Sequence, residues 1–369
     1  MVPHDPPPPP VKGRGATFSP ANRFRRDERE RVDDGWQPPV DDEEPPPPLR
    51  TSVTIQRART IIMRNDSPDV PFTQSINPYQ GCEHGCIYCY ARPSHAYLDL
   101  SPGLDFETKL YAKPDAAQLL RAALAKPGYR CDPIALGTNT DPYQPIEREW
   151  KITRSVLEVL AEHAHPFSIV TKSALVERDI DIIAPMAAQR MARVYLSITS
   201  LDGELARKME PRAAAPHRRL LALRRLADAG IPVGVMVAPI IPQLNDRDLE
   251  AILEAAFAHG AREAGWVLLR LPREVAPLFR QWLDAHYPER AAHVMSLVQQ
   301  MRGGRDYDST FGSRMRGKGQ FAELFEKRFE IARKRAGFDV GRDHGRLDTS
   351  RFQPPVGAPP GSGAQGSLF

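Results

Sequence analysis

Between residues 51 and 272 the chain alternates short apolar or β-branched runs with longer amphipathic stretches. The short runs are bounded by polar or turn-forming residues and have the length of strands that are buried in a parallel sheet. Six strands are predicted in this way: 73–78, 133–137, 167–172, 194–199, 233–238 and 266–271.

The stretches between these strands repeat apolar residues every three or four positions, which is the spacing of one helix face. In the stretch 216–230, Leu220, Leu223 and Leu226 follow this spacing, and Gly230 provides a helix end. Helices are predicted at 153–163, 177–189, 216–230 and 247–259.

The alternation of strands and helices predicts βα units around a parallel sheet. Six consecutive units favour an α/β fold with a partial (β/α)6, TIM-like barrel, although periodicity alone also fits an open doubly wound sheet. After residue 272 the pattern becomes mainly helical, with helices predicted at 274–286, 290–301 and 319–336 and a loop rich in Gly and Arg at 302–318. We therefore expect a core barrel at 51–272 and a helical C-terminal extension at 273–338.

The two ends of the chain lack this periodicity. Residues 1–50 are rich in proline and charge, and residues 339–369 are rich in Gly, Pro and Ser. Such segments cannot bury enough apolar surface to offset the entropy of ordering. We expect both ends to be disordered, the first with polyproline stretches.

Composition limits the class of protein. The formal net charge is only +4, so any site for a polyanion has to be local. No apolar run reaches the ~18 residues of a membrane-spanning helix, and the N-terminus lacks the basic and apolar segments of a signal peptide. We expect a cytoplasmic protein without membrane association.

Three of the four cysteines, Cys82, Cys86 and Cys89, lie within eight residues, directly after the first predicted strand. Clustered thiols in a reducing compartment indicate a metal site rather than a disulfide framework. The C-x3-C-x2-C spacing provides thiolates for three irons of a cubane cluster and leaves the fourth iron with open coordination sites. A zinc site is one alternative, with His84 or the distant Cys131 as a fourth ligand. A redox pair of Cys86 with Cys89 and purely structural cysteines are two others.

The cysteine spacing, with the aromatic Tyr88 just before the last cysteine, resembles the signature of the radical S-adenosylmethionine superfamily. The βα alternation over 51–272 agrees with the partial barrel of that superfamily, in which the cysteine loop also follows the first strand. The resemblance implies a [4Fe-4S] cluster on Cys82, Cys86 and Cys89, S-adenosyl-L-methionine as the second cofactor, and a reductant such as flavodoxin or ferredoxin. It also implies that the reduced cluster cleaves S-adenosylmethionine to a 5′-deoxyadenosyl radical that abstracts hydrogen from a substrate.

Polar residues at the other strand ends are expected at the same mouth, because active sites of β/α barrels lie at the C-terminal ends of the strands. Residues 137–144, after the second strand, contain more hydroxyl, amide and carboxylate groups than a turn needs, although a turn with a helix cap is the alternative. These strand ends resemble the spore photoproduct lyase branch of the superfamily. The resemblance implies that Tyr88, Thr140, Lys172, Ser197 and Ala238 bind the cofactor. Thr138, Asn139 and Asp141 are further candidates, because their segment resembles in position the part of the superfamily that binds the amino group of the cofactor.

Glu210 and Arg212 follow the fourth strand and are two further candidates. They are placed to reach the carboxylate and ribose of the cofactor, or to pair with each other on the surface.

The substrate is suggested only by analogy. Residues 77–92 read N-P-Y-x-G-C-x-x-G-C-x-Y-C-Y-A-R, similar to a bacterial family of lyase-like radical proteins. Since spore photoproduct lyase repairs DNA, we hypothesise a DNA or nucleotide substrate. The loop 302–318 mixes arginines with aromatics and glycines, a composition suited to phosphate contact and base stacking. Asp306 and Asp308 weaken this interpretation, and a solvated loop is the alternative.

The last five residues, from Gln365 to the Leu368-Phe369 pair, resemble the short peptide with which bacterial repair proteins dock on the DNA polymerase sliding clamp. The alternative to an enzyme is a non-catalytic protein that is stabilised by zinc or an iron-sulfur cluster and bridges partners through its termini.

Overall fold

The computed structural model describes residues 10–24, 49–338 and 346–355. The strands are β1 (Ser52–Ile55), β2 (Ile62–Arg64), β3 (Gln74–Ile76), β4 (Tyr79–Gln80), β5 (Lys109–Ala112), β6 (Ile134–Leu136), β7 (Phe167–Thr171), β8 (Ala192–Ser197), β9 (Val233–Ile240) and β10 (Glu263–Leu268). The α-helices are α1 (Leu104–Thr108), α2 (Ala116–Leu124), α3 (Glu147–Trp150), α4 (Ile152–Glu162), α5 (Ile180–Ala188), α6 (Gly203–Met209), α7 (Pro216–Asp228), α8 (Leu249–Ala258), α9 (Val275–His286), α10 (Pro288–Gln300) and α11 (Gln320–Ala336). Short 3-10 helices lie at Arg92–Leu98, Ala174–Asp179 and Asp246–Asp248.

The central sheet has the strand order β10-β9-β8-β7-β6-β3-β2. The strands from β3 to β10 are parallel to their neighbours, and β2 pairs antiparallel with β3. The six parallel strands are those that the sequence predicts, so the α/β class and the six-unit core are confirmed. The last of them starts and ends three residues earlier than predicted. At its end the N–H of Leu268 donates outside the sheet, to the carbonyl of Met315, 2.8 Å away.

A second, small sheet was not predicted. It consists of β1, β5 and β4 in that order. The four residues of β1 are largely exposed, and β4 has only two residues, so neither carries the apolar alternation by which a strand is recognised.

The helices around the sheet agree with the predicted pattern. Apolar residues of α4, such as Val156 and Leu160, are fully buried in the same core as the strands. The predicted helix 177–189 begins as a 3-10 turn, since Ser173 accepts a hydrogen bond from the N–H of Leu175 before α5 starts. Within the described residues, none of the helices combines the length and the apolar character that crossing a membrane requires.

The C-terminal helices share cores with the barrel. Phe279 and Trp282 of α9 pack in one buried cluster with Ile87 and Tyr88 of the cysteine loop. Helix α11 packs against α8, and its Phe325 and Phe329 are buried in the core that the strands share. The predicted helical extension is therefore present and forms one wall of the site described below.

Two terminal segments correct the expectation of disorder. Residues 10–24, within the region 1–50, lie against the core, and Ala16 is fully buried there. Residues 346–355, within the region 339–369, return to the barrel, where the ring of Phe352 packs 5.6 Å from that of Tyr129 and 5.2 Å from that of His165. Disorder was wrong for these segments because single apolar and backbone groups, rather than a periodic pattern, anchor them. The clamp-like peptide 365–369 lies outside the described residues.

Candidate functional site

The three clustered cysteines lie at the C-terminal edge of the parallel sheet, in the loop that follows β3 and β4. All three are free thiols, with Cys82 and Cys86 buried and Cys89 half-buried. Burial raises the pKa of each thiol, and neighbouring carboxylates and thiols add to the shift at Cys82 and Cys86. Thiolates in this loop therefore need positive charge beside them, which a metal centre provides.

Arg92, in the 3-10 helix after the last cysteine, holds the loop in place. Its side chain is fully buried and donates to the carbonyl oxygens of Gly85 at 3.1 Å and Cys86 at 2.9 Å. The same guanidinium pairs with the carboxylate of Glu107. An Arg fork that is fixed by a buried carboxylate is a rigid donor, so the cysteine backbone has one preferred arrangement.

An N-terminal segment closes one side of this loop. The N–H groups of Gly15 and Ala16 each donate to the carboxylate of Glu107 at 2.9 Å. A β-carbon on Gly15 would lie 1.8 Å from the carbonyl oxygen of Gly85, so only glycine fits at this contact. Gly85 itself has a positive φ of 66°, the left-handed region that glycine adopts without strain.

The two candidate fourth ligands of a zinc site, His84 and Cys131, lie in different surroundings. His84 faces Asp141, with 3.4 Å between its Nδ1 and a carboxylate oxygen. Cys131 precedes β6 and therefore lies at the opposite end of the sheet from the cysteine loop, since β3 and β6 are parallel. In the part of the chain that the structure describes, no group of three or more His, Cys, Asp or Glu side chains is arranged around a single metal ion. A cubane fits the donor set better, because each thiolate binds a different iron.

Four predicted cofactor residues from four different elements meet beside the cysteine loop. The Nζ of Lys172, after β7, donates to the Oγ of Ser197 at the end of β8, 3.1 Å away. The Oγ of Ser197 donates to the carbonyl oxygen of Ala238 in β9 at 3.2 Å. The same ammonium lies 5.8 Å from the centre of the Tyr88 ring. These groups form a polar row along the sheet edge, next to the cysteines.

Glu210 lies under this row rather than in it. Its carboxylate pairs with Arg219 and accepts hydrogen bonds from the hydroxyls of Tyr88 and Thr199. Burial raises the pKa of Glu210, but Arg219 and then Lys172 outweigh burial and hold it at about 2. Both oxygens of this ionised carboxylate already accept hydrogen bonds, which favours a role in orienting Tyr88 over direct cofactor contact.

Arg212 does not pair with Glu210. Its guanidinium lies 3.2 Å from the carboxylate of Glu83, and its N–H donates to the carbonyl of His84 at 3.3 Å. Arg212 therefore links the segment after α6 to the cysteine loop.

The polar segment after β6 divides into two pairs. Thr140 and Asp141 stabilise the turn: the Thr140 hydroxyl donates to the carbonyl of Tyr79 at 3.0 Å, and Asp141 accepts from the N–H of Lys172 at 2.7 Å. Although burial raises the pKa of Asp141, His84 and these hydrogen bonds lower it to about 2. Thr138 and Asn139 instead line a cavity.

This cavity has a volume of about 460 Å³ and lies beside the cysteine loop, since Tyr90, the residue after Cys89, is part of its wall. Its lining comes from both ends of the strand order, with Met63 of β2 at one end and Arg270 after β10 at the other. We call it the gap cavity. The lining residues are Met63, Asn65, Ser67, Val70, Phe72, Ser75, Asn77, Tyr79, Gln80, Tyr90, Lys113, Thr138, Asn139, Arg270, Arg314 and Met315.

The loop 302–318 forms one wall of the gap cavity and is not simply a solvated loop. Arg314 pairs with Asp69 at 2.5 Å, which ties this loop to the segment between β2 and β3. Arg302 is buried and donates to the carbonyl of Leu269 at 2.7 Å. Two of the arginines that suggested phosphate contact therefore stabilise the wall.

Several residues of the site were not singled out from the sequence. Asn77 accepts hydrogen bonds from the N–H groups of Asn139 at 3.0 Å and Thr140 at 3.3 Å, and so shapes the turn after β6. Asn77 and Arg92 belong to the N-P-Y and Y-A-R parts of the motif, which is the signal that could have identified them. Glu107 and Arg219 carry no such signal, because only the fold brings their partners to them.

The profile of the radical SAM superfamily matches residues 76–256 of the chain. An uncharacterised protein of Mycobacterium tuberculosis is 38% identical over 277 residues, which are 73% of this chain and 82% of that protein. A protein of Methanocaldococcus jannaschii is 31% identical over 215 residues, or 58% of this chain and 76% of that protein.

Among solved structures, spore photoproduct lyase complexed with dinucleoside spore photoproduct superposes with a TM-score of 0.54. The sequence identity is 17%, and the match covers 77% of this chain and 79% of that one. A likeness at this identity is one of fold, and it agrees with the partial barrel.

Proposed function

Because this chain belongs to the radical S-adenosylmethionine superfamily, which uses a [4Fe-4S] cluster and S-adenosylmethionine, we propose that Cys82, Cys86 and Cys89 hold the cluster and that the polar row beside them holds the cofactor. The chain is then an enzyme that cleaves S-adenosylmethionine reductively and acts on a nucleotide or DNA substrate with lyase-like or repair-like chemistry.

One observation carries this proposal: the hydrogen-bonded row from Lys172 through Ser197 to Ala238, next to the Tyr88 ring. The row joins three strand ends to the cysteine loop, and its donors and acceptors suit a zwitterionic ligand. The Lys172 ammonium offers a cation for a carboxylate, and the Ala238 carbonyl offers an acceptor for an amine.

Cys82, Cys86 and Cys89 would hold the cluster, which would supply the electron that splits the carbon-sulfur bond of the cofactor. The residues of the chain position the reactants and exclude water. Tyr88 is held by Glu210 and Thr199, so its ring is a fixed surface beside the cofactor. Helix α9 covers this side with Phe279 and Trp282, both fully buried, which limits access of bulk water.

A nucleotide or DNA substrate is supported by the gap cavity, which adjoins the cysteine loop through Tyr90 and contains both cationic and aromatic side chains. The structural relative with the dinucleoside ligand is consistent with this class of substrate. We further propose a cytoplasmic location, because a reducing compartment keeps the three clustered thiols free, and flavodoxin or ferredoxin as the reductant. We also propose that the peptide 365–369 docks on the sliding clamp.

The proposal is tested by reconstituting the protein with iron and sulfide without oxygen. We expect iron-sulfur absorbance, and, after reduction, conversion of added S-adenosylmethionine to methionine and 5′-deoxyadenosine. A colourless protein that retains one zinc would refute the proposal and favour the bridging alternative. Deuterium that appears in 5′-deoxyadenosine from labelled nucleotides or oligonucleotides would then identify the substrate.

A further inference from the structure

The gap cavity is lined by two cationic side chains, Arg270 and Lys113, that form no ion pair with any carboxylate of the described residues. Arg270 contacts only aromatic and weakly polar groups: its guanidinium lies 5.0 Å from the centre of the Tyr90 ring, and it donates to the hydroxyl of Tyr307 at 3.3 Å and to the sulfur of Met315 at 3.5 Å. Its Nε is buried and has no hydrogen-bond partner among the residues that the structure describes. The guanidinium is thus positioned by stacking, with donor capacity to spare.

Lys113 is the second of these cations. Its Nζ donates to the carbonyl oxygen of Asn77 at 3.0 Å. Burial lowers the pKa of Lys113, and no neighbouring carboxylate offsets this effect. Within residues 10–24, 49–338 and 346–355, neither Lys113 nor Arg270 forms an ion pair with Asp or Glu.

The other charged residues near this wall of the cavity already form ion pairs with each other. Asp69 pairs with Arg314 at 2.5 Å, and Asp308 lies 3.5 Å from the ammonium of Lys318. Arg302, behind the wall, donates to backbone carbonyls and is a further cation close to Arg270; burial and then Arg270 lower its pKa to about 10. The cavity therefore has an excess of positive charge in a partly buried setting, where an unpaired charge is costly and an anionic ligand removes that cost.

We propose that the gap cavity is a phosphate subsite in which Arg270 and Lys113 bind the phosphate of the substrate. A phosphate monoester or a phosphodiester strand matches the charge of two cations better than a single carboxylate ligand does. The guanidinium of Arg270 also has the geometry to donate two hydrogen bonds to phosphate oxygens. The ring of Tyr90, about half exposed, links this subsite to the cysteine loop. The inference rests on the proposed function only in treating the bound phosphate compound as the substrate.

Binding titrations on the reconstituted full-length protein test the subsite. The probes are inorganic phosphate, thymidine 5′-monophosphate, thymidine and a short single-stranded oligonucleotide; a pyrimidine is used so that the probe does not mimic the adenosine of the cofactor. We expect the monophosphate to bind at least about tenfold more tightly than thymidine. Tighter binding of the mononucleotide identifies a free nucleotide as the source of the phosphate, and tighter binding of the oligonucleotide identifies a strand.

Variants assign this affinity to the two cations. Arg270→Gln and Lys113→Gln are each expected to weaken binding of the monophosphate about tenfold or more, and Arg270→Lys, which keeps the charge, to weaken it less. Arg121→Gln removes a cation from an exposed ion pair with Glu162 and is the matched control, expected to bind as the wild type does. Thermal unfolding of each variant verifies that it is folded.

Three results would each overturn the subsite: equal affinity for thymidine and its monophosphate, wild-type affinity in both Gln variants, or displacement of the monophosphate by S-adenosylmethionine. The last would assign the cavity to the cofactor. Iron content and 5′-deoxyadenosine formation are measured on the same preparation. A failure of the radical chemistry is thereby distinguished from a failure of the phosphate subsite.

Discussion

Arg92 and Glu107 form an ion pair that is completely buried, with both side chains at 0% exposure. Arg92 donates hydrogen bonds to backbone carbonyls of the cysteine loop, and Glu107 accepts hydrogen bonds from N–H groups of the N-terminal segment. The pair thus connects the cysteine loop to an N-terminal segment that precedes strands β1 to β4 in the sequence. It holds the backbone of the cysteine loop through the carbonyls of Gly85 and Cys86.

Replacing Glu107 with Gln tests this pair. We expect the free energy of unfolding to fall by about 3–5 kcal/mol, because the guanidinium of Arg92 is left buried without a counter-ion. Urea unfolding measures the change, and the iron content after reconstitution should fall with it. Glu162→Gln is the control, since Glu162 pairs with Arg121 on the surface, and it should cost no more than ~1 kcal/mol. Equal effects of the two substitutions would contradict the role given to Arg92 and Glu107.

The four cysteines provide a second test with an internal control. Alanine at Cys82, Cys86 or Cys89 is expected to abolish the iron-sulfur absorbance, because a cubane held by two thiolates is not retained. Cys131→Ala should leave iron content unchanged, since Cys131 lies at the other end of the sheet. The measurement is the iron and sulfide content of each variant. Loss of iron in the Cys131 variant would contradict the assignment of Cys82, Cys86 and Cys89 as the cluster ligands.

The sequence predicts the barrel well because buried strands and amphipathic helices carry their own pattern. The residues 167–171 and 233–238, for example, are apolar enough to be recognised, and both are strands. Lys172, Ser197 and Ala238 were identified through the family resemblance, and the fold brings them together. Neither pattern nor resemblance indicates the docking of Gly15, which depends on a backbone contact. The same holds for the gap cavity, because Lys113, after β5 of the small sheet, and Arg270, after β10 of the central sheet, line one cavity only in the folded chain.

Lys172 gives the third prediction. Lys172→Met is expected to weaken binding of S-adenosylmethionine roughly 10- to 100-fold, because a hydrogen bond to a charged group contributes roughly 1.5–3 kcal/mol. The iron content should stay at the wild-type value, since the Lys172 ammonium bonds to Ser197 rather than to a cysteine. Lys126→Met, at an exposed position, is the control. Equilibrium binding of the cofactor is the measurement, and unchanged affinity in the Lys172 variant would remove Lys172 from the cofactor site.

The N-terminal segment gives the fourth. Gly15→Ala places a β-carbon 1.8 Å from the carbonyl oxygen of Gly85, so the segment has to move away from the cysteine loop. We expect faster hydrogen exchange at residues 14–16 and a loss of about 1–3 kcal/mol in the free energy of unfolding. The cluster should also bleach faster in air, because the loop is then open to solvent on that side. Gly203→Ala meets no atom within 4 Å and should change none of these quantities.

The last prediction concerns pH and the C-terminal segment 346–355. His165 is buried between Tyr129 and Phe352, and burial lowers its pKa from 6.5 to about 4. Above pH 6.5 the imidazole is neutral in both the folded and the unfolded chain, so it adds no pH dependence. Between pH 6.5 and 4 the unfolded chain binds a proton that the folded chain does not. The free energy of unfolding should therefore fall as the pH is lowered, by up to about 1.4 kcal/mol per pH unit.

The contribution of His165 is isolated by comparing variants, because other groups also titrate in this range. Urea unfolding of the wild type and of His165→Gln across the same pH window should differ in slope, with the variant shallower. His293→Gln, at an exposed position on α10, should keep the wild-type slope. Parallel slopes for the wild type and the His165 variant would mean that the imidazole is solvated, and that the segment carrying Phe352 does not stay on the barrel.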